Sequence, residues 1–242
     1  MMVITARSTH ANSFSMEVGM TMLRTSIASF IIALGLPSWG CGSDPRVPPD
    51  QPDANQPDTN QPDAPGPITS QPLPVMVSDY YIPGGFMGDG VSSATAITIS
   101  LTNCREPRPS GAEGDCYRTT YTPGALGWAG VYWQYPERNW GTSPGKLIEA
   151  GASRVTFYAA GLSGGETLEF LVGGIDDPHL PYRDSFKVTK KLTLTTALTR
   201  YEIDISGRTY GSGVIGAFAW TFDTHGSRAP MEFDLDTIRW EK

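Results

Sequence analysis

Five aromatic side chains crowd the stretch from Trp128 to Trp140: Trp128, Tyr132, Trp133, Tyr135 and Trp140. Flat aromatic faces with a few polar neighbours suit ligands that present both apolar C–H faces and hydroxyl rims, as pyranose rings do. If residues 128–135 form a strand, alternate side chains share a face. Trp128, Gly130, Tyr132 and Gln134 then lie on one side, and Ala129, Val131, Trp133 and Tyr135 on the other. Val131 belongs inside, so the side ending in Gln134 is expected to be exposed. Trp128, Tyr132, Gln134, Trp140, Tyr158 and Trp220 are the candidate ligand-binding residues, with a polysaccharide or other glycan as partner. The competing expectation is that these aromatics only fill a core.

Catalytic constellations are weaker. Gly161-Leu162-Ser163-Gly164-Gly165 fits G-x-S-x-G, but a strand follows where that motif needs a helix, so it reads as a tight turn. His10, His179 and His225 have no ligand spacing, which argues against zinc and Ser/His chemistry. Glu166, Glu169, Asp176, Asp177 and Asp184 could supply a glycosidase pair only if two of them face each other across a cleft. The expectation is a non-catalytic protein, with a small glycoside-active enzyme as the minor alternative.

The elements that must hold these residues are strands. From Val75 onward the apolar period is two: Ile97–Leu101, Cys116–Tyr121, Trp128–Gln134, Val155–Ala159, Thr167–Val172, Ser185–Thr195, Tyr201–Ile205, Val214–Phe222 and Phe233–Ile238. Turn residues separate them, and no amphipathic helix is evident. Nine strands in about 168 residues predict an all-β, two-layer antiparallel sandwich over residues 75–242. Cys104 and Cys116 bracket a polar loop at hairpin range and are expected to form a disulfide in an exported chain. Residues 75–242 carry 19 acidic and 15 basic side chains with no basic stripe, which excludes a nucleic-acid footprint.

Several patches together resemble a bacterial galactose-binding-like jelly roll, the β-sandwich of many carbohydrate-binding modules. They are Gly127–Gln134, Asn139–Gly141, Val155–Gly161, Gly164–Glu166, Asp184–Phe186, Leu198–Gly207, Val214–Trp220 and Phe233–Ile238. Tyr158-Ala159-Ala160 stands where the family favours Trp-Ala-Arg. The resemblance implies sugar binding, and it implies a structural Ca2+ at Asp236, with Asp234 on the same strand face. A structural or protein-interaction module on the same fold is the alternative.

The N-terminal third has a different character. Arg24 precedes an apolar run through Leu36, too short to span a bilayer permanently. Gly40-Cys41 and the polar tract after it resemble a bacterial lipoprotein signal, despite Trp39. Residues 1–40 are therefore expected to be a signal region, starting near residues 20–22, and Cys41 the lipidation site. A disordered spacer is expected over residues 41–74, with the repeats Gln51–Asn55, Gln56–Asn60 and Gln61–Pro65. The expected address is the cell envelope, membrane-anchored through lipid, at the outer-membrane surface.

Overall fold

Side chains that alternate between apolar and polar can bury one face only by pairing into sheets. The computed structural model, which describes residues 69–242, shows that outcome. The strands are β1 (Val75–Met76), β2 (Ile82–Gly88), β3 (Ile97–Ser100), β4 (Cys116–Tyr121), β5 (Trp128–Gln134) and β6 (Arg154–Gly161). They continue as β7 (Thr167–Gly173), β8 (Lys187–Thr193), β9 (Thr199–Asp204), β10 (Gly216–Asp223) and β11 (Met231–Glu241). Nine fall where the alternation predicts them. β1 is too short to carry a pattern, and the Ile-Pro-Gly-Gly start of β2 reads as a turn. β2 tolerates Pro83 because it is an edge strand with a bulge between Pro83 and Gly85.

The strands form two antiparallel sheets packed as a jelly-roll sandwich. The first has the order β3-β4-β11-β6-β9, with β1 also paired to β11; the second has the order β2-β5-β10-β7-β8. Val131, Trp133, Phe157, Phe170, Phe218, Trp220 and Phe233 are fully buried between them. Trp133 and Phe157 pack on Phe218 at centroid distances of 5.6 and 5.0 Å, and Trp220 meets Phe233 of the opposite sheet at 5.2 Å. The Phe157–Phe218 and Trp220–Phe233 contacts join the two layers, while Trp133–Phe218 lies within the second sheet.

Gln71 lies on the linker side of the expected boundary at residue 75, yet it is already held. Its N–H donates to the Leu147 carbonyl at 2.9 Å, and its carbonyl accepts the Glu149 N–H at 2.8 Å. The expected signal region, Cys41 and most of the spacer lie outside the described residues. Among the described residues, no helix is long and apolar enough to cross a membrane.

The expected disulfide is present: Cys104 and Cys116 are joined, with their Cα atoms 5.8 Å apart. It closes residues 105–115 into a strap. Phe233 and Leu235 of β11 point into the core, so Asp234 and Asp236 point outward under that strap.

Candidate functional site

The second sheet presents its outer face through the alternate residues of β5, β10, β7 and β8. Cross-strand register sets the rows. Trp128 lies opposite Asp223, Gly130 opposite Thr221, and Thr221 opposite Glu169, which in turn faces Lys191. Thr167, Glu169, Lys191, Thr221, Asp223 and His225 line a cleft of about 190 Å3 on this face. A hollow of about 490 Å3 adjoins it at the end of the sandwich, between residues 162–167 and the β10–β11 loop. A third, of about 230 Å3, lies beside Gly124–Gly127. Asp223 lines all three.

Trp128 enters the face from a loop fixed by one carboxylate. Asp89 is fully buried and accepts the Tyr121 hydroxyl at 2.6 Å. It also accepts the backbone N–H groups of Gly124, Leu126 and Gly127 at 2.8, 2.9 and 3.1 Å. The Tyr121 hydroxyl, together with these amides, holds the Asp89 carboxyl below its usual range. The Gly127 carbonyl then accepts the Thr224 N–H at 2.9 Å, which ties Trp128 to the loop carrying His225. Trp128 as a whole residue remains 39% exposed.

The predicted residues divide sharply. Trp128 and Trp140 are both partly exposed, and Trp140 packs edge-on to Tyr132 at 5.8 Å on the same side of the sheet. The assignment of Val131 and Trp133 to the core side agrees with the structure. The expected exposure of Tyr132 and Gln134 does not, because their side of the strand is itself roofed. Tyr132 is 4% exposed and its hydroxyl donates to the Gly173 carbonyl at 3.2 Å. Gln134 is fully buried, with its Nε2 donating to the Asn139 carbonyl at 2.9 Å. Glycines allow both to lie flat: a Cβ on Gly216 would meet the Tyr132 ring at 2.9 Å, and one on Gly85 would meet the Gln134 amide at 2.6 Å.

The roof is residues 174–186, pinned by Asp184. Its carboxylate accepts N–H groups from Ile215, Ile175 and Gly216 at 2.7, 3.1 and 3.2 Å. Burial outweighs these bonds and pushes its pKa up to about 6. Trp220 is another correction: it belongs to the core between the sheets and no ligand can reach it there. Tyr158, partly exposed, faces outward on the first sheet, opposite Asp236 and Arg200, and so belongs to the other side of the molecule.

Of the cleft residues, Glu169 and His225 were visible in the sequence as isolated ionisable groups. Lys191, Thr221 and Asp223 carry no local sequence signal of a site. Only the pairing of β7 with both β8 and β10 brings them together.

The expected Ca2+ ligands do not fit a cation. Asp234 accepts Arg105 Nε and Arg118 Nε, both at 2.8 Å. Asp236 accepts Arg108 through both oxygens, at 2.7 and 2.8 Å. Three guanidiniums already neutralise the two carboxylates. Among the described residues, no group of three or more His, Cys, Asp or Glu is placed to hold a metal ion.

No family model matches the chain, and no curated protein matches it. Among solved structures, it is similar to a family 11 carbohydrate-binding module of a cellulosomal cellulase of Clostridium thermocellum. That match has 13% identity over 71% of this chain and 96% of that one, with a TM-score of 0.43. A family 30 carbohydrate-binding module matches at 14% identity over 69% of this chain and 97% of that one, with a TM-score of 0.44.

Proposed function

We propose that the domain binds a glycan on the outer face of the second sheet, without chemical conversion. Trp128 stacks on a sugar ring, and Thr167, Glu169, Lys191, Thr221, Asp223 and His225 exchange hydrogen bonds with its hydroxyls. The observation that carries this reading is the partly exposed Trp128 paired across the sheet to Asp223, which itself lines a polar cleft on the same face. A hydrophobic plane beside mixed donors and acceptors is what a hydroxyl-rimmed ring requires. Electrophoresis of the full chain through gels containing neutral, cationic and acidic polysaccharides tests it. Retardation by at least one of them, lost in Trp128→Ala, is expected. Unchanged mobility in every gel defeats the reading.

A second reading is hydrolysis, favoured by Glu169 and Asp223 lining one cleft. Release of reducing ends by the wild type, abolished in both Glu169→Gln and Asp223→Asn, would establish it in place of simple binding.

The reading extends to an exported, lipid-tethered display of this domain at the cell surface. The support is in the sequence: the apolar run before Cys41, and the Pro-rich repeats between Cys41 and Gln71. Metabolic labelling with a fatty-acid analogue should mark the wild type and spare Cys41→Ala; equal labelling of both excludes Cys41 as the attachment site.

A further inference from the structure

We infer that the strap between Cys104 and Cys116 takes the place of a structural cation, so that the domain is stabilised independently of calcium and dependently on its disulfide. Asp234 and Asp236 have side chains only 5% and 2% exposed, and each of their four carboxylate oxygens receives a guanidinium N–H. Ca2+ needs six to eight oxygen ligands at about 2.3–2.6 Å, with two carboxylates contributing only a part of that set. Here the oxygens are already committed, and three positive groups in contact with them would repel an approaching cation.

Two of the three arginines come from the strap itself. Arg105 also reaches the Thr196 carbonyl at 2.7 Å and the Gly161 carbonyl at 3.2 Å, so it fastens the strap to the neighbouring turns. Arg108 donates to the Gly114 carbonyl at 3.0 Å and so braces the strap internally. The strap's far end is tied where Thr237 Oγ1 accepts the Glu113 N–H at 3.1 Å and donates to Asp236 at 2.7 Å. Thr237 adopts φ +49°, at the bulge where β11 shifts its register against β6. Such a conformation in a β-branched residue needs surrounding contacts to hold it. The covalent closure at Cys104–Cys116 keeps Arg105 and Arg108 near their carboxylates, so the disulfide and the ion pairs act together.

Thermal melting of the full chain tests this in three arms: excess EDTA, added Ca2+, and a thiol-free reductant. EDTA and Ca2+ should leave Tm within about 1 °C, whereas reduction should lower it by about 6–12 °C. An Arg108→Gln variant keeps the disulfide but loses the two-point contact with Asp236; it should melt a few degrees low and stay insensitive to Ca2+. A rise in Tm on adding Ca2+ to the wild type overturns the inference. So does an Arg108→Gln variant as stable as the wild type, or a Tm indifferent to reductant.

Discussion

On the first sheet, Asp234 and Asp236 commit every oxygen to Arg105, Arg108 and Arg118 beneath a covalently closed strap. On the second, Glu169 and Lys191 enter no ion pair among the described residues and stand exposed beside Trp128's row. Both outer faces are rich in charge, but the carboxylates beneath the strap are fully committed, whereas Glu169 and Lys191 are not. Acidic residues on a strand face therefore say little about a site until their partners are known. A buried carboxylate with its partners in place contributes to architecture; exposed polar groups near an aromatic plane remain available to a ligand.

The largest test of that contrast is Tyr132→Ala. Tyr132 belongs to the roofed part of the second face, so its truncation should cost about 3–4 kcal/mol in chemical denaturation. A cost near zero would mean the roof does not press on it. Asp234→Ala should follow at about 2–3 kcal/mol, since Arg105 and Arg118 lose their shared anion, while glycan retention below the melting temperature stays as in the wild type. Trp128→Ala should do the reverse. It should weaken glycan retention about tenfold, or about 1.4 kcal/mol, with Tm within about 2 °C.

Effects visible only as a function of pH come from the two carboxylates that shape the loops around the open face. The Asp184 pKa is raised to about 6, so its contribution is full below about pH 4 and is lost as pH rises through about 6. Asp89, held low first by the Tyr121 hydroxyl, contributes above the usual carboxylate range and loses that contribution as pH falls through its lowered value. Relative to the wild type, Asp184→Asn should therefore gain up to about 2 kcal/mol between pH 4 and pH 7. Asp89→Asn should lose ground as pH rises from 3. Melting curves across that range would separate the two, and parallel trends would contradict the opposite shifts.

Much of the architecture was legible in residue order. Alternation in Trp128–Gln134 correctly separated Val131 and Trp133 from Tyr132 and Gln134, because side-chain direction in a strand is local. It could not show that residues 174–186 fold back over Tyr132, since a loop's resting place depends on the finished sheet. Trp220 lies in the core for a different reason: a nearly continuous apolar run has no alternation to tell inside from outside. The Cys104–Cys116 bond followed from spacing, but the Arg105 and Arg108 contacts with β11 span 129 and 128 residues and leave no local trace. The cleft needed the pairing of β7 with both β8 and β10, which no single segment encodes.

The position of Gln71 has a mechanical consequence. The chain leaves the sandwich beside Leu147 and Glu149, close to the end of β5 that carries Gln134, whereas Trp128 and Asp223 sit at the other end. The two ends are about 20 Å apart along the strand. Tension applied between Gln71 and Trp128 would run nearly parallel to the strands. It would strain the ladder bonds of β5 and β10 together, in shear, rather than peel them one at a time from an edge.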